Sequence, residues 1–188
     1  MYFAVKKAIA NSGFKTVTIV GHSLGGALAL LDSIYLPTFI PNVAYSLITF
    51  GMPRVGNQAF ADYVDKNYFH LNVTRITNKY IFPSSVCGMT PSLTLWLIRK
   101  DPVPTLPGRH DEFHHPQGEK HIQVDGAWLS CFGQDNEDSR CSIGSVPNVK
   151  AGNVTDHDGM FLITRQSRSY PQSFIGPYDG VLIGCRSS

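Results

Sequence analysis

The stretch Lys15 to Leu36, KTVTIVGHSLGGALALLDSIYL, decides how the chain is read. Lys15 to Val20 is a short run rich in β-branched residues, and it ends at Gly21. Ala27 to Leu36 is a strong helix former that begins just beyond Gly26. Between them Gly21-His22-Ser23-Leu24-Gly25 spells G-x-S-x-G, so the motif sits on a strand-to-helix turn. Small residues two before and two after the serine allow a strained backbone that exposes the hydroxyl. Glycine and serine are common enough for the bare pattern to arise by chance; the flanking strand and helix mark Ser23 as a nucleophile. The backbone N–H of Leu24, at a helix N-terminus, is then placed to donate to an oxyanion.

Working outward, Ser46 to Phe50 is a second apolar run stopped by Gly51, and Val73 to Thr77 is a third. Gln58 to Phe69 carries apolar residues at helical spacing between them. That alternation predicts βαβ units with a parallel sheet. Phe3, Ala4, Ala8 and Ile9 predict a helix that Asn11-Ser12-Gly13 stops, and Lys6 and Lys7 inside it disqualify the segment as a secretory signal. From about Asp101 prolines, histidines and polar loops dominate. The 188 residues are 43% hydrophobic and 16% charged, with a net charge of +2. This fits one globular α/β domain spanning residues 1–188, and no repeat or boundary divides it. No run of like charge offers a footprint for nucleic acid, and no stretch is long and apolar enough for a membrane span.

A serine hydroxyl is a weak nucleophile near neutral pH and needs a base, which in turn needs a carboxylate to hold its tautomer. In the strand-turn-helix architecture the order is serine, acid, histidine. Asp101-Pro102-Val103-Pro104 suits the acid, because two prolines restrict the backbone around the carboxylate, although an ordinary turn aspartate looks the same. Of seven histidines, His22 lies inside the turn and His70 precedes the acid. His110, His114, His115 and His121 crowd a polar stretch, with surface or core roles. His157 is the last, and order makes it the candidate base.

His114, His115, Glu119 and His121 make a poor metal set, since Pro116 and Gly118 deny them helical ligand spacing. Asp135-Asn136-Glu137-Asp138 lacks the later glycine and terminal glutamate of a calcium loop and reads as a solvated loop. No metal or other cofactor is called for. Cys131 and Cys141 bracket a short loop and can close a bridge, with zinc or two free thiols as the alternatives. Two glycosylation sequons, Asn72-Val73-Thr74 and Asn153-Val154-Thr155, lean towards a secreted relative. Nothing fixes an oligomeric state or partners for Cys87 and Cys185.

Four blocks, taken together, resemble the fungal class 3 lipases, an α/β-hydrolase family that also contains feruloyl esterases. They are Gly21 to Ala29, Thr49-Phe50-Gly51-Met52-Pro53-Arg54-Val55-Gly56-Asn57, Asp101 to Pro104 with Leu106-Pro107, and Asp156-His157. The resemblance implies a mostly parallel sheet flanked by helices, with Ser23 as nucleophile, Asp101 as acid, His157 as base and Leu24 as an oxyanion donor. It implies an extracellular enzyme acting on acylglycerol or smaller esters at a lipid–water interface. It also likens Cys131 and Cys141 to the family's short disulfide loop.

Two departures accompany it. Family members carry a long segment before the nucleophile strand, holding further strands, a second oxyanion donor and a lid, and here the chain starts at the preceding helix. That start predicts an open sheet edge beside the nucleophile strand, and it keeps open an inactive lipase-like product. Residues 80–100 also intervene before Asp101, where the family has almost none. They read either as a surface insertion, with Leu95-Trp96-Leu97-Ile98 as a lid substitute, or as a retained intron, since Lys79-Tyr80-Ile81 and Leu93-Thr94 can be encoded by splice-like signals.

Overall fold

A computed structural model describes residues 1–67, 71–78, 81–83, 96–98 and 100–157. Helix α1 (Tyr2–Ser12) ends as expected at Gly13, whose φ of 71° gives the left-handed cap and whose N–H donates to Ile9. Strand β1 (Thr16–His22) feeds through Ser23 into helix α2 (Leu24–Phe39). This helix runs past the expected Leu36 because Pro37 removes only one donor, and the N–H of Ile40 still reaches Leu36 O at 2.8 Å. Then follow β2 (Ala44–Phe50), the two-residue β3 (Gly56–Asn57), helix α3 (Gln58–Asn67) and β4 (Asn72–Asn78).

Short strands β5 (Ile81–Pro83) and β6 (Trp96–Ile98) pair antiparallel with each other, from Ile81 opposite Ile98 to Pro83 opposite Trp96. They lie within the segment expected to be an insertion. Strand β7 (Phe113–His114) pairs with β3. Strands β8 (Glu119–Ile122) and β9 (Trp128–Cys131) join the main sheet, and a short helix α4 (Ser142–Ser145) precedes the last described loop.

The main sheet runs β1-β2-β4-β8-β9, with the first four strands parallel and β9 antiparallel at the edge. Two of its strands, β8 and β9, lie in the region read as prolines and loops. They were hidden because two of the three side chains that β8 buries are polar: Glu119 and His121 are 2% and 1% exposed, beside Ile122 at 5%. The hydroxyl of Thr77 on β4 donates to Glu119 Oε1 at 2.9 Å and lies 2.7 Å from His121 Nδ1. Buried polar groups are tolerated when they partner one another.

The core lies between α2 and the sheet. Leu30, Leu36 and Leu47 are fully buried, with Ala27, Met52 and Val64 around them. Deleting one such leucine side chain removes about 2–5 kcal/mol. On the opposite side of α2, Leu24, Leu28, Leu31 and Tyr35 are each 45% or more exposed. A helix apolar all round belongs where both sides are covered, and only one is covered among the described residues. Among the described residues strand β1 pairs with β2 at one end of the strand order.

Candidate active site

Strand β1 ends beside β2, with His22 opposite Phe50 in parallel register, and the N–H of Ser23 continues the ladder to Phe50 O at 2.9 Å. Ser23 takes φ 56° and ψ −132°, a region costly for any residue with a Cβ, and its carbonyl accepts from Gly26 N at 2.9 Å. The turn is closed this tightly because Gly21 has no side chain: a Cβ there would stand 2.2 Å from Gly25 O and 2.5 Å from Gly25 C. Gly26 is nearly as constrained, with Gly21 O and Met52 Cβ both 3.1 Å from where its Cβ would be. Gly25 is not, since nothing lies within 4 Å of its ideal Cβ. Of the two motif glycines, the space around the turn therefore requires Gly21, and after the serine the closer approach is at Gly26. Leu24 is the first residue of α2, so its N–H is among those with no acceptor inside the helix.

Asp101 and His157, 56 residues apart in sequence, are brought into contact. His157 Nδ1 lies 3.0 Å from Oδ2 and 3.1 Å from Oδ1 of the carboxylate. Both residues are buried, at 2% and 5% exposure. A carboxylate only accepts, so Nδ1 carries the proton and Nε2 is left as an acceptor. Nε2 is buried, without a hydrogen-bond partner among the described residues.

Backbone ties flank the pair. Val103 N donates to Asp101 Oδ1 at 2.9 Å, Lys100 N donates to Asp156 Oδ2 at 2.8 Å, and Asn153 N donates to Lys100 O at 2.9 Å. Each candidate residue is thus held next to a neighbour that grips the other's loop.

His22, adjoining Ser23, stacks its ring on His157, with centroids 4.7 Å apart and planes 23° from parallel. Its Nε2 donates to His157 O at 3.2 Å. No bond from the Ser23 hydroxyl to Nε2 is present among the described residues, and such bonds commonly tighten only when substrate is held. The serine, the imidazole and the carboxylate nevertheless occupy one end of the parallel sheet, where open α/β sheets bind ligands.

The other histidines divide as the residue pattern suggested. His110 is exposed, His114 is half-buried with Nδ1 3.2 Å from Asp135 Oδ2, and His70 lies outside the described residues. His115 is 1% exposed and donates from Nε2 to Pro104 O at 2.8 Å. Burial first, then the nearby Arg75 charge, pushes the His115 pKa well below its ordinary value. Among the described residues no group of three or more His, Cys, Asp or Glu side chains could hold a metal. Cys131 and Cys141 form a disulfide with Cα atoms 5.9 Å apart. Cys87 and Cys185 lie outside the described residues.

The reading of residues 135–138 as a solvated loop needs correcting at Asp135. Asp135 is 7% exposed and pairs with Arg54, at 4%. Neither Arg54 nor Asp156 stood out as more than part of a block, since their partners are distant in sequence or are backbone groups.

Residues 2–81 match the family described as Lipase (class 3). The secreted mono- and diacylglycerol lipase MDL2 of Malassezia globosa is 29% identical over 164 residues, covering 86% of this chain and 45% of that protein. A second from the same organism, LIP1, is 29% identical over 167 residues, covering 88% and 46%. The chain is thus similar to class 3 lipases, through the family match over residues 2–81 and through these relatives over most of its length. Among solved structures, lipase II from Rhizopus niveus superposes with a TM-score of 0.63 at 27% identity, covering 84% of this chain and 52% of that one. A triacylglycerol lipase whose catalytic centre is described as a serine protease triad gives 0.61 at 28%, covering 85% and 52%. The α/β-hydrolase architecture implied by the resemblance is the one the chain shares with these lipase structures. The chain spans about half the length of the relatives it matches.

Proposed function

We propose that this chain is a serine carboxylic-ester hydrolase that works through Ser23, His157 and Asp101. His157 Nε2 takes the hydroxyl proton as Ser23 Oγ attacks the ester carbonyl, and the developing oxyanion receives the Leu24 N–H. The imidazolium is stabilised by Asp101 and returns its proton to the leaving alcohol, which leaves an acyl-enzyme. A water activated by the same Nε2 then releases the acid and restores Ser23. Hydroxyl, imidazole and backbone donor supply what acyl transfer requires, so no cofactor enters.

The observation that carries this reading is the buried Asp101–His157 pair, whose free Nε2 lies on a ring stacked against the residue next to Ser23. Acylglycerol is the substrate class we favour, at a lipid–water interface and outside the cell, because the relatives are named secreted mono- and diacylglycerol lipases.

The test is hydrolysis of a p-nitrophenyl butyrate solution and of a monoacylglycerol emulsion by the full chain and by Ser23→Ala. Loss of turnover by a factor of roughly 10⁴ to 10⁶ in the variant supports the reading. A folded chain with no turnover, or turnover indifferent to Ser23, sinks it.

A further inference from the structure

The segment that follows Asp101 has an unusual problem. Three of the six residues in Pro102-Val103-Pro104-Thr105-Leu106-Pro107 are prolines, which have no N–H, so the loop has few donors of its own to hold its later carbonyls. Three bonds inside it, from Thr105 N and Thr105 Oγ1 to Pro102 O and from Leu106 N to Val103 O, close only the turn over 102–106 and leave the carbonyls of Pro104, Thr105, Leu106 and Pro107 to other partners. The rest is held from outside through its carbonyls.

Arg54 does most of this. Its backbone N–H donates to Leu106 O at 2.6 Å, and its Nη1 donates to Thr105 O at 2.5 Å and to Pro107 O at 2.7 Å. The guanidinium is fixed on its other side by Asp135, whose Oδ1 accepts from Nε at 3.0 Å and lies 3.0 Å from Nη2. Asp135 is anchored in turn by the N–H of His115 at 3.2 Å, and His115 reaches back to Pro104 O. A planar fork with several fixed donors can span neighbouring carbonyls and a carboxylate at once, which an ammonium cannot.

We propose that Arg54, oriented by Asp135, is a positioning residue that grips the loop after Asp101 through successive carbonyls and so keeps the Asp101 carboxylate in register with His157. It touches no substrate and acts through Asp101 alone. The inference rests on the assignment of Asp101 and His157 given above. Its consequence is that Arg54 governs the rate of the chemical step and leaves substrate binding largely alone, because a carboxylate displaced by about 1 Å costs roughly 100-fold in rate.

The experiment uses the full chain and Arg54→Lys, which keeps the charge opposite Asp135 but loses the fork. Proton NMR reads the far-downfield Nδ1–H resonance of a histidine bonded to a carboxylate, assigned by its loss in Asp101→Asn. Exposed Arg140→Lys serves as control. Arg54→Lys should shift or abolish that resonance while circular dichroism stays that of the parent, and kcat on p-nitrophenyl butyrate should fall roughly 10- to 100-fold with KM within about 3-fold of the parent.

A resonance unchanged in Arg54→Lys overturns the proposal, as does its absence from the parent chain. An intact resonance response in a chain with no turnover separates the two readings: the positioning role stands and the hydrolase reading falls. If Arg54→Lys does not fold, Asp135→Asn is read in the same way; failure of both to fold assigns the pair to general stability and overturns the specific role.

Discussion

Gly21 and Gly25 are the two glycines of one G-x-S-x-G motif, and the structure gives them opposite tolerances. A Cβ at Gly21 would meet the carbonyl oxygen of Gly25 at 2.2 Å, where ordinary contact begins at 3.4 Å, and the next two atoms in its way are also backbone. No side-chain rotation relieves this. The start of α2 must move by about 1.2 Å, the difference between those distances. Ser23 and Leu24 move with it, because they are the residues of the turn.

A displacement near 1 Å at reacting groups is worth roughly 100-fold in rate. The strain of overpacking should lower stability by about 1–3 kcal/mol. In Gly25→Ala the new methyl meets nothing within 4 Å and the residue lies in a helix, so stability should rise by about 0.4–1 kcal/mol through a less flexible unfolded chain. Urea unfolding of parent, Gly21→Ala and Gly25→Ala, with ester turnover of the first two, measures this. Equal destabilisation by the two substitutions, or a fully active Gly21→Ala, refutes the steric account of the turn.

Two further outcomes follow from groups away from the serine. The Cys131–Cys141 bridge closes a loop of sequence separation 10 and should stabilise by about 2.7 kcal/mol through chain entropy, so a Cys131→Ser, Cys141→Ser double variant should show an unfolding free energy lower by that amount, read as a urea midpoint lowered by that amount divided by an unchanged slope. His115 already donates its Nε2–H to Pro104 O, and its Nδ1 is buried without a partner, so a second proton would be buried unpaired. Its folded pKa is therefore depressed below the unfolded 6.5, and the unfolded chain binds the proton first as pH falls. The neutral ring's contribution is complete above about pH 6.5 and erodes below it, at up to about 1.4 kcal/mol per pH unit. His115→Gln, which can keep the bond to Pro104 O, should remove that slope from urea titrations between pH 6.5 and 5; an unchanged slope contradicts it.

How much of this could be read in advance follows from where each signal resides. The β1-turn-α2 unit was legible because its information is local: a β-branched run, a glycine-bounded serine and an Ala/Leu helix lie within 22 consecutive residues. Helix α1 and the strands β2 and β4 were legible from period and punctuation. Strands β8 and β9 were not, because Glu119 and His121 imitate a solvated loop until the Thr77 hydroxyl on a strand 42 residues earlier is set against them. Asp135 was misread for the same reason. An acidic run looks wet unless its partner is known, and Arg54 is 81 residues away. Order along the chain, a topological argument, singled out Asp101 and His157, while composition favoured bland roles for both.

The ties around that pair show why precision can survive in loops. Asp101 lies in a proline-rich segment and His157 in the last described turn, and neither belongs to a strand of the sheet. A pair held only by its own hydrogen bond would leave the imidazole free to swing, and small displacements of a base are expensive in rate. Here the two loops are also joined through both backbone groups of Lys100, next to the contact. Asp156 holds Lys100 N, Asn153 holds Lys100 O, and His22 holds the carbonyl of His157 while covering its ring. The strand that presents Ser23 therefore also bears on His157, and the residue before Asp101 is gripped by the residue before His157. Three distant parts of the sequence, which carry the proposed hydroxyl, imidazole and carboxylate, are thus tied to one another by direct contacts.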